Sequence, residues 1–268
     1  MSFFKAVPLL TLCLCQAGMV LAEDTHGNQQ GIYLGAFGGL GKLDSTSLRQ
    51  TGAVILPAPL PQLPIDADGS TDSPSASLGG VQLGYQWSGW QHSARSGWGL
   101  NLAVEFEGLY LGEHSPEGEM PIQPRILGTQ YVSFDAKGYA LLAGVVLAVE
   151  TPWSQRFVPY AGVSAGTARI SLSDADSANP SEPGINHFNS DPDASDRASA
   201  LQFKLGVESK LTDQLFLFTE YRYLKVDATR YRFGATVYPG EHLPTEPWDV
   251  RLGDLEYNLF VAGLKYQF

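Results

Sequence analysis

The sequence has little of what soluble secreted domains and helical membrane proteins need. Its two cysteines, Cys13 and Cys15, lie in an N-terminal segment that we expect to be removed, so disulfides do not hold the exported domain together. Charged residues make up 17% of the chain, against a usual share of about 25%. Beyond the N-terminal segment, no stretch reaches the roughly 18 apolar residues of a membrane-spanning helix. The net charge of −11 argues against nucleic acid as a partner, because nothing basic offsets the phosphates.

The first residues, Met1–Ala22, have the pattern of a secretory signal peptide. Lys5 supplies the positive charge, an apolar stretch runs from Ala6 to Cys15, and Ala22 offers a small residue at the cleavage point. We therefore predict an exported protein with a signal peptide over residues 1–22, a short tail over 23–30 and one domain over 31–268.

What is abundant is glycine, 29 of 268 residues, together with tyrosine and phenylalanine. Eight segments alternate apolar and polar residues with a period of two, which is the pattern of strands with two different faces. The five clearest are 77–87, 98–111, 200–211, 215–225 and 255–268, and the three weaker ones are 31–41, 131–148 and 157–172. Long and short gaps strictly alternate between them, which predicts hairpins with short turns on one side of a layer and long loops on the other.

This pattern favours an all-β fold, an eight-stranded antiparallel up-and-down transmembrane β-barrel. A soluble lipocalin-like barrel also has eight strands, but it turns its apolar residues inward to line a pocket. Segments of about 11–18 residues exceed the usual strand length of five or six, which favours the membrane barrel. Aromatic residues near the segment ends would then form the interfacial girdles. They are Tyr85, Trp87, Trp98, Tyr110, Phe157, Tyr160, Tyr221, Tyr223, Tyr266 and Phe268.

The chain resembles the small eight-stranded outer-membrane barrels of the OmpA/OmpX type. The residues that carry the resemblance are Gly31–Gly41, Arg156–Ala168, Leu201–Val226 and Tyr257–Phe268. The resemblance implies a location in the cell outer membrane, contact with its lipid and lipopolysaccharide, a periplasmic tail, and a barrel without a peptidoglycan-binding domain. It also implies that the terminal segment is the signal read by the barrel-assembly machinery, through Phe260, Ala262, Leu264, Tyr266 and Phe268.

The polar faces of the segments predict a charge network in the lumen. It comprises Glu105, Glu107, Asp135, Glu208 and Glu220 with Lys137, Arg169, Lys204, Lys210, Arg222 and Lys265. Unpaired buried charges would be costly, so we expect ion pairs, with Glu105 or Glu107 beside Lys137 and with Glu220 beside Lys204. Eight strands leave a bore only wide enough for side chains, so a filled polar core is favoured over a gated ion path.

The long loops differ in composition. In the first, residues 54–64 predict an extended, polyproline-like surface segment. The third is acidic but lacks calcium-loop spacing, so we expect a solvated, disordered loop; its acids are Asp174, Asp176, Asp191, Asp193 and Asp196. The fourth mixes arginine with aromatic residues, a combination suited to adhesion or lipid-phosphate contact; it contains Arg230, Arg232, Arg251, Tyr231, Phe233, Tyr238 and Trp248.

The five histidines, His26, His92, His114, His187 and His242, all fall outside the predicted strands. Mobile loops hold catalytic geometry poorly, so we expect no enzyme, no metal site and no cofactor. The predicted function is structural and surface-interacting: envelope integrity, and recognition or adhesion through the loops toward an extracellular ligand. The alternative is a narrow, porin-like channel for ions or small solutes.

Overall fold

The computed structural model describes residues 30–91, 98–152 and 157–268. The predicted signal peptide, most of the predicted tail, His26 and His92 lie outside the described residues. Within these ranges no helix is long and apolar enough to cross a membrane. The helical structure in the described part of the chain is one short 3₁₀ turn, Arg125–Leu127.

Thirteen strands form one antiparallel sheet in the described residues. In chain order they are β1 (Gly31–Leu43), β2 (Ser47–Val54), β3 (Leu63–Thr71), β4 (Ser75–Gln91), β5 (Gly99–His114), β6 (Glu117–Gln123), β7 (Thr129–Glu150), β8 (Phe157–Ala178), β9 (Ala194–Lys210), β10 (Leu215–Val226), β11 (Thr229–Phe233), β12 (Trp248–Leu252) and β13 (Leu255–Gln267).

Eight of these strands close a barrel, because β7 pairs with both β5 and β8. Around the ring the order is β1, β4, β5, β7, β8, β9, β10 and β13, and β13 pairs back with β1. Each predicted segment coincides with one of these eight strands, so the prediction of an eight-stranded up-and-down barrel is confirmed. The short connections, the start of β1 and the end of β13 lie at one end of the barrel, the turn end, and the long connections lie at the other, the loop end.

An apolar band surrounds the barrel on its outer face. Leu205 is 64% exposed and Phe260 is 74% exposed, and their neighbours on other strands are similarly uncovered. A soluble lipocalin-like barrel would bury these side chains, so that alternative is wrong. The band is what lipid contact requires. Prominent members are Leu40, Leu83, Phe106, Leu141, Val145, Phe203, Leu205, Leu217, Phe260 and Leu264.

The five remaining strands, β2, β3, β6, β11 and β12, form a second ring at the loop end together with the outer parts of β7, β8 and β9. The sequence of pairs is β11–β12, β12–β2, β2–β3, β3–β6 and β6–β7, and the outer parts of β7, β8 and β9 continue it. The ring closes where β11 lies beside β9, and the backbone N–H of Arg230 donates to Asp196 Oδ2 at 2.8 Å. We call this structure the outer ring. It was not predicted, because its added strands are short and are defined by long-range pairing.

The interior changes polarity where the barrel passes into the outer ring. On β9, Gln202 and Lys204 face inward within the apolar band, whereas Ala198 and Ala200 face inward beyond it. On β7, Phe134 and Ala136 are buried inside the outer ring. The outer ring therefore has an apolar core and a polar outside, as expected of a structure surrounded by water, and the membrane-level barrel has the reverse.

Candidate functional site

A buried charge cluster spans the bore within the apolar band. Arg222 Nη2, on β10, lies 2.9 Å from Glu107 Oε1, on β5, and these two strands stand opposite each other in the ring. Lys204 on β9 lies 3.1 Å from the same Glu107 oxygen and also pairs with Glu105. Arg222 pairs in addition with Glu220 on its own strand. All five side chains are buried, so each charge depends on its partners.

Two tyrosines complete the cluster from neighbouring walls. The Tyr33 hydroxyl donates to Glu105 Oε2 at 2.8 Å, and the Tyr160 hydroxyl donates to Glu220 Oε2 at 2.8 Å. The prediction that Tyr160 belongs to an interfacial girdle is therefore wrong, because its ring points into the bore. The Arg222 guanidinium also stacks on Phe37, 4.0 Å from the ring centroid, which fills the space beside the ion pairs.

A second pair, Lys265 with Glu208, lies nearer the turn end. The Lys265 ammonium is 4.9 Å from the centre of the Tyr33 ring, so it links this pair to the main cluster. The structure therefore brings seven of the predicted lumen charges into the bore: Glu105, Glu107, Lys204, Glu208, Glu220, Arg222 and Lys265.

The other four predicted lumen charges face outward or lie at the rim, and these assignments are wrong. Asp135, Lys137 and Arg169 lie on the outside of the outer ring, where the period of two continues but the polar side faces water. Lys210 is at the turn end, 2.9 Å from Asp213. The predicted pairing of Glu105 or Glu107 with Lys137 is consequently wrong, and Glu220 forms its ion pair with Arg222 rather than with Lys204.

The third loop folds into the outer ring instead of remaining solvated, which corrects the expectation of disorder. Phe188 is fully buried and stacks on Phe233, with ring centroids 4.4 Å apart. The Asn189 side chain donates to Val237 O at 2.8 Å, which ties the third loop to the fourth. Two of the predicted loop acids, Asp174 and Asp176, belong to β8. An apolar core thus lies directly beyond the charge cluster along the barrel axis.

The first and fourth loops form hairpins whose two faces separate aromatic residues from charges. The predicted extended segment 54–64 is the tip of the β2–β3 hairpin. In the fourth loop, Tyr231, Phe233 and Trp248 are buried in the outer ring, whereas Arg230 and Arg251 point outward. The predicted mixed arginine–aromatic surface is therefore wrong, since one strand face carries the aromatic rings and the opposite face carries the cations.

A row of arginines crosses the outside of the outer ring, and we call it the arginine belt. Its members are Arg169, Arg197, Arg230, Arg251 and Arg49, on β8, β9, β11, β12 and β2. Arg169 lies directly opposite Arg197, Arg230 opposite Arg251, and Arg251 opposite Arg49. All five are exposed.

The family model described as outer membrane protein beta-barrel domain matches residues 8–268. The chain belongs to this family. Its structure is similar to Neisserial surface protein A, with 14% identity, 89% of this chain and 97% of that chain covered, and a TM-score of 0.42. It is also similar to OprG from Pseudomonas aeruginosa, with 14% identity, 91% and 100% coverage, and a TM-score of 0.45. The outer membrane protease OmpT from Escherichia coli is similar at 9% identity, 88% and 97% coverage, and a TM-score of 0.38. No curated protein sequence matches the chain.

Membership of this family places the protein in the outer membrane, with the apolar band in contact with lipid. In such barrels the short turns are periplasmic and the long loops are external, so the outer ring and the arginine belt lie outside the cell. Of the predicted assembly signal, Phe260, Ala262, Leu264 and Tyr266 lie on the lipid-facing side of β13, and Phe268 follows the strand and is exposed. Its recognition by the barrel-assembly machinery stays a prediction.

Of the three histidines in the described residues, one lies at the end of a barrel strand and two lie in the long loops and contact each other. His114 was expected in a loop, but it is the last residue of β5, and its Nδ1 lies 2.9 Å from Gly112 O. Its sequence neighbour Ser115 is hydrogen-bonded to Asp135 instead. His187 and His242, from the third and fourth loops, approach each other with ring centroids 5.4 Å apart. Sequence reasoning missed this contact, because strand pairing around the outer ring brings the two loops together.

Proposed function

We propose that this outer-membrane protein acts at its external surface, where the arginine belt binds the phosphates of lipopolysaccharide in the surrounding outer leaflet. This is the structural and surface-interacting role predicted from the sequence, and the proposal adds a partner, the negatively charged phosphates of lipopolysaccharide. The observation that carries the proposal is the register that sets Arg230, Arg251 and Arg49 directly opposite one another on three adjacent strands.

Like charges at directly opposite positions of antiparallel strands destabilise a sheet, because their side chains begin only about 5 Å apart. The belt repeats this arrangement with Arg169 and Arg197. Arg49 is paired with Asp66 and Asp68. The other four belt arginines form no ion pair with a carboxylate among the described residues: Arg169, Arg197, Arg230 and Arg251. A bound phosphate would relieve the repulsion, and arginine binds phosphate with two parallel hydrogen bonds.

The height of the belt fits the layer that phosphates occupy. Arg169 and Arg197 each lie four residues beyond the last outward apolar residues of their strands, Ala165 and Leu201. Four residues of a tilted strand span roughly 10 Å along the membrane normal. This height lies beyond the hydrocarbon core, in the region of charged headgroups.

The test compares two double variants that remove the same number of exposed arginines. Arg230→Ala with Arg251→Ala alters the belt, whereas Arg125→Ala with Arg232→Ala removes cations outside it. Affinity for lipopolysaccharide, measured on refolded protein in detergent, should fall at least tenfold in the belt variant and change little in the control. Dephosphorylated lipopolysaccharide should bind wild type and belt variant alike. Equal losses in both variants, or wild-type binding that does not depend on phosphate, would contradict the proposal.

A further inference from the structure

Three potential metal ligands meet where the third and fourth loops cover the outer ring. Glu182 Oε2 lies 3.1 Å from His187 Nε2, and Glu182 Oε1 lies 3.4 Å from His242 Nε2. One ligand atom from each of the three residues lies within 4.8 Å of the others. The two imidazoles are nearly covered, with side-chain exposures of 7% and 10%, while Glu182 is 39% exposed and gives access from solvent.

The hydrogen bonds of His187 determine which of its nitrogens is free. Its Nδ1 lies 2.6 Å from the backbone oxygen of Ser177, and a carbonyl oxygen can only accept, so Nδ1 carries a proton. The Gln130 amide nitrogen, 3.0 Å from Nδ1, donates to Ser177 Oγ at 2.7 Å. Neutral His187 therefore points the Nε2 lone pair at a carboxylate oxygen. Two acceptors at 3.1 Å repel unless a cation or a proton lies between them.

The spacing of the ligand atoms fits a metal ion of the zinc class. With metal–nitrogen and metal–oxygen distances of about 2.0–2.2 Å, neighbouring ligands of a tetrahedral ion are roughly 3.3–3.6 Å apart. Each carboxylate oxygen of Glu182 faces one imidazole at close to this spacing, Oε2 at 3.1 Å from His187 Nε2 and Oε1 at 3.4 Å from His242 Nε2. The bond from His187 Nδ1 to a backbone carbonyl is also the outer-shell arrangement that orients metal-binding histidines.

The surroundings hold the ligands in place from both loops. The Thr236 hydroxyl donates to His187 O at 3.0 Å and accepts from Trp248 Nε1 at 3.1 Å. The Trp248 ring packs edge-on against His187, with centroids 6.0 Å apart. His242 Nδ1 is buried and has no hydrogen-bond partner among the described residues, whereas Nε2 of the same ring faces Glu182.

We propose that Glu182, His187 and His242 bind one divalent transition-metal ion of the zinc class, which ties the third loop to the fourth. Imidazole and carboxylate together suit Zn²⁺, and three protein ligands leave the fourth position for water on the exposed side of Glu182. This site was not expected from the sequence, in which the two histidines lie far apart.

Zn²⁺ binding is measured on untagged, refolded protein by calorimetric titration and by metal content after dialysis. The variants are His187→Gln, His242→Gln and Glu182→Gln, and Glu241→Gln is the matched control, because it removes an exposed acid next to His242. Heat-modifiable gel mobility confirms that each variant is folded. If His187→Gln does not fold, the less buried Glu182→Gln and His242→Gln carry the test.

The expected result is one Zn²⁺ per chain in wild type and in Glu241→Gln, with affinity at least tenfold lower in each ligand variant. Bound Co²⁺ should give the visible spectrum of a tetrahedral site, and this spectrum should disappear in His242→Gln. Equal affinity in control and ligand variants would overturn the proposal. So would the absence of Zn²⁺ binding above pH 7, which would assign a shared proton rather than a metal to the gap between His187 and Glu182.

Discussion

The Arg222 Nη2 atom on β10 lies 2.9 Å from the Glu107 Oε1 atom on the opposite wall of the barrel. Both side chains are fully buried, and Lys204 and Glu220 share the same network. An ion pair that connects opposite walls occupies the bore at its centre. The apolar core of the outer ring then covers this cluster from the external side. These two layers are the basis for assigning function to the external surface.

Arg222→Met should strongly destabilise the barrel, because it leaves Glu107 and Glu220 buried with fewer partners. Breaking a buried pair on one side typically costs about 3–5 kcal/mol. The free energy of unfolding in lipid vesicles, from denaturant titration, measures the loss. Arg232→Met is the control, because Arg232 is exposed and its Nη1 lies 3.9 Å from Asp249 Oδ1. This variant should change the free energy of unfolding by less than about 0.5 kcal/mol. A similar loss of unfolding free energy in the two variants would show that the ion pair across the bore stabilises the barrel no more than an exposed pair does.

Phe188→Ala should release the third loop from the outer ring. Removing a fully buried phenylalanine typically costs about 3–5 kcal/mol, and Phe188 is also stacked on Phe233. We expect faster proteolysis between residues 179 and 193 in vesicle-embedded protein, while the membrane-level barrel stays intact. Ile126→Ala provides a control, because Ile126 is 91% exposed. Unchanged cleavage in Phe188→Ala would contradict the anchoring role.

Stability of the outer ring should depend on pH through Asp66. A hydrogen bond from Arg49 holds the pKa of this carboxyl below its ordinary value. A carboxyl with a lowered folded-state pKa contributes stability above its unfolded pKa of about 3.9, and this contribution disappears as the pH falls through the lower, folded-state pKa. The pair is exposed, so its contribution is below about 1 kcal/mol.

Asp66→Asn should therefore lower the free energy of unfolding at pH 7 and match wild type in strong acid. Glu241→Gln, outside any ion pair in the described residues, should follow wild type throughout. A difference between Asp66→Asn and wild type that stays constant down to strong acid would assign the effect to packing rather than to charge.

The eight barrel strands were predictable because lipid on one side and a polar interior on the other impose different residues on alternate positions. The same alternation continues into the outer ring with the faces exchanged, so Asp135, Lys137 and Arg169 were assigned to the wrong side. The residue types of these three positions do not indicate where the membrane ends. The next residues on the same face do indicate it, because Tyr139 and Leu141, which follow Lys137, are apolar and exposed.

The contacts of the site could not be predicted from the sequence. Glu107 pairs with Arg222 across the bore because of barrel closure and strand register, which no local pattern encodes. Tyr33 and Tyr160 enter the cluster for the same reason. The meeting of His187 and His242 depends on how two long loops pack on the outer ring, which is set by buried residues such as Phe188 and Trp248.

The most direct test of a filled bore is the conductance of the refolded protein in a planar bilayer, with folding confirmed by heat-modifiable mobility. We expect no conductance steps from wild type, because ion pairs and the apolar core occupy the axis. Glu105→Ala, which removes one partner of Lys204, is recorded alongside. Reproducible wild-type steps whose size or ion preference changes in Glu105→Ala would contradict the account and establish the narrow channel in its place.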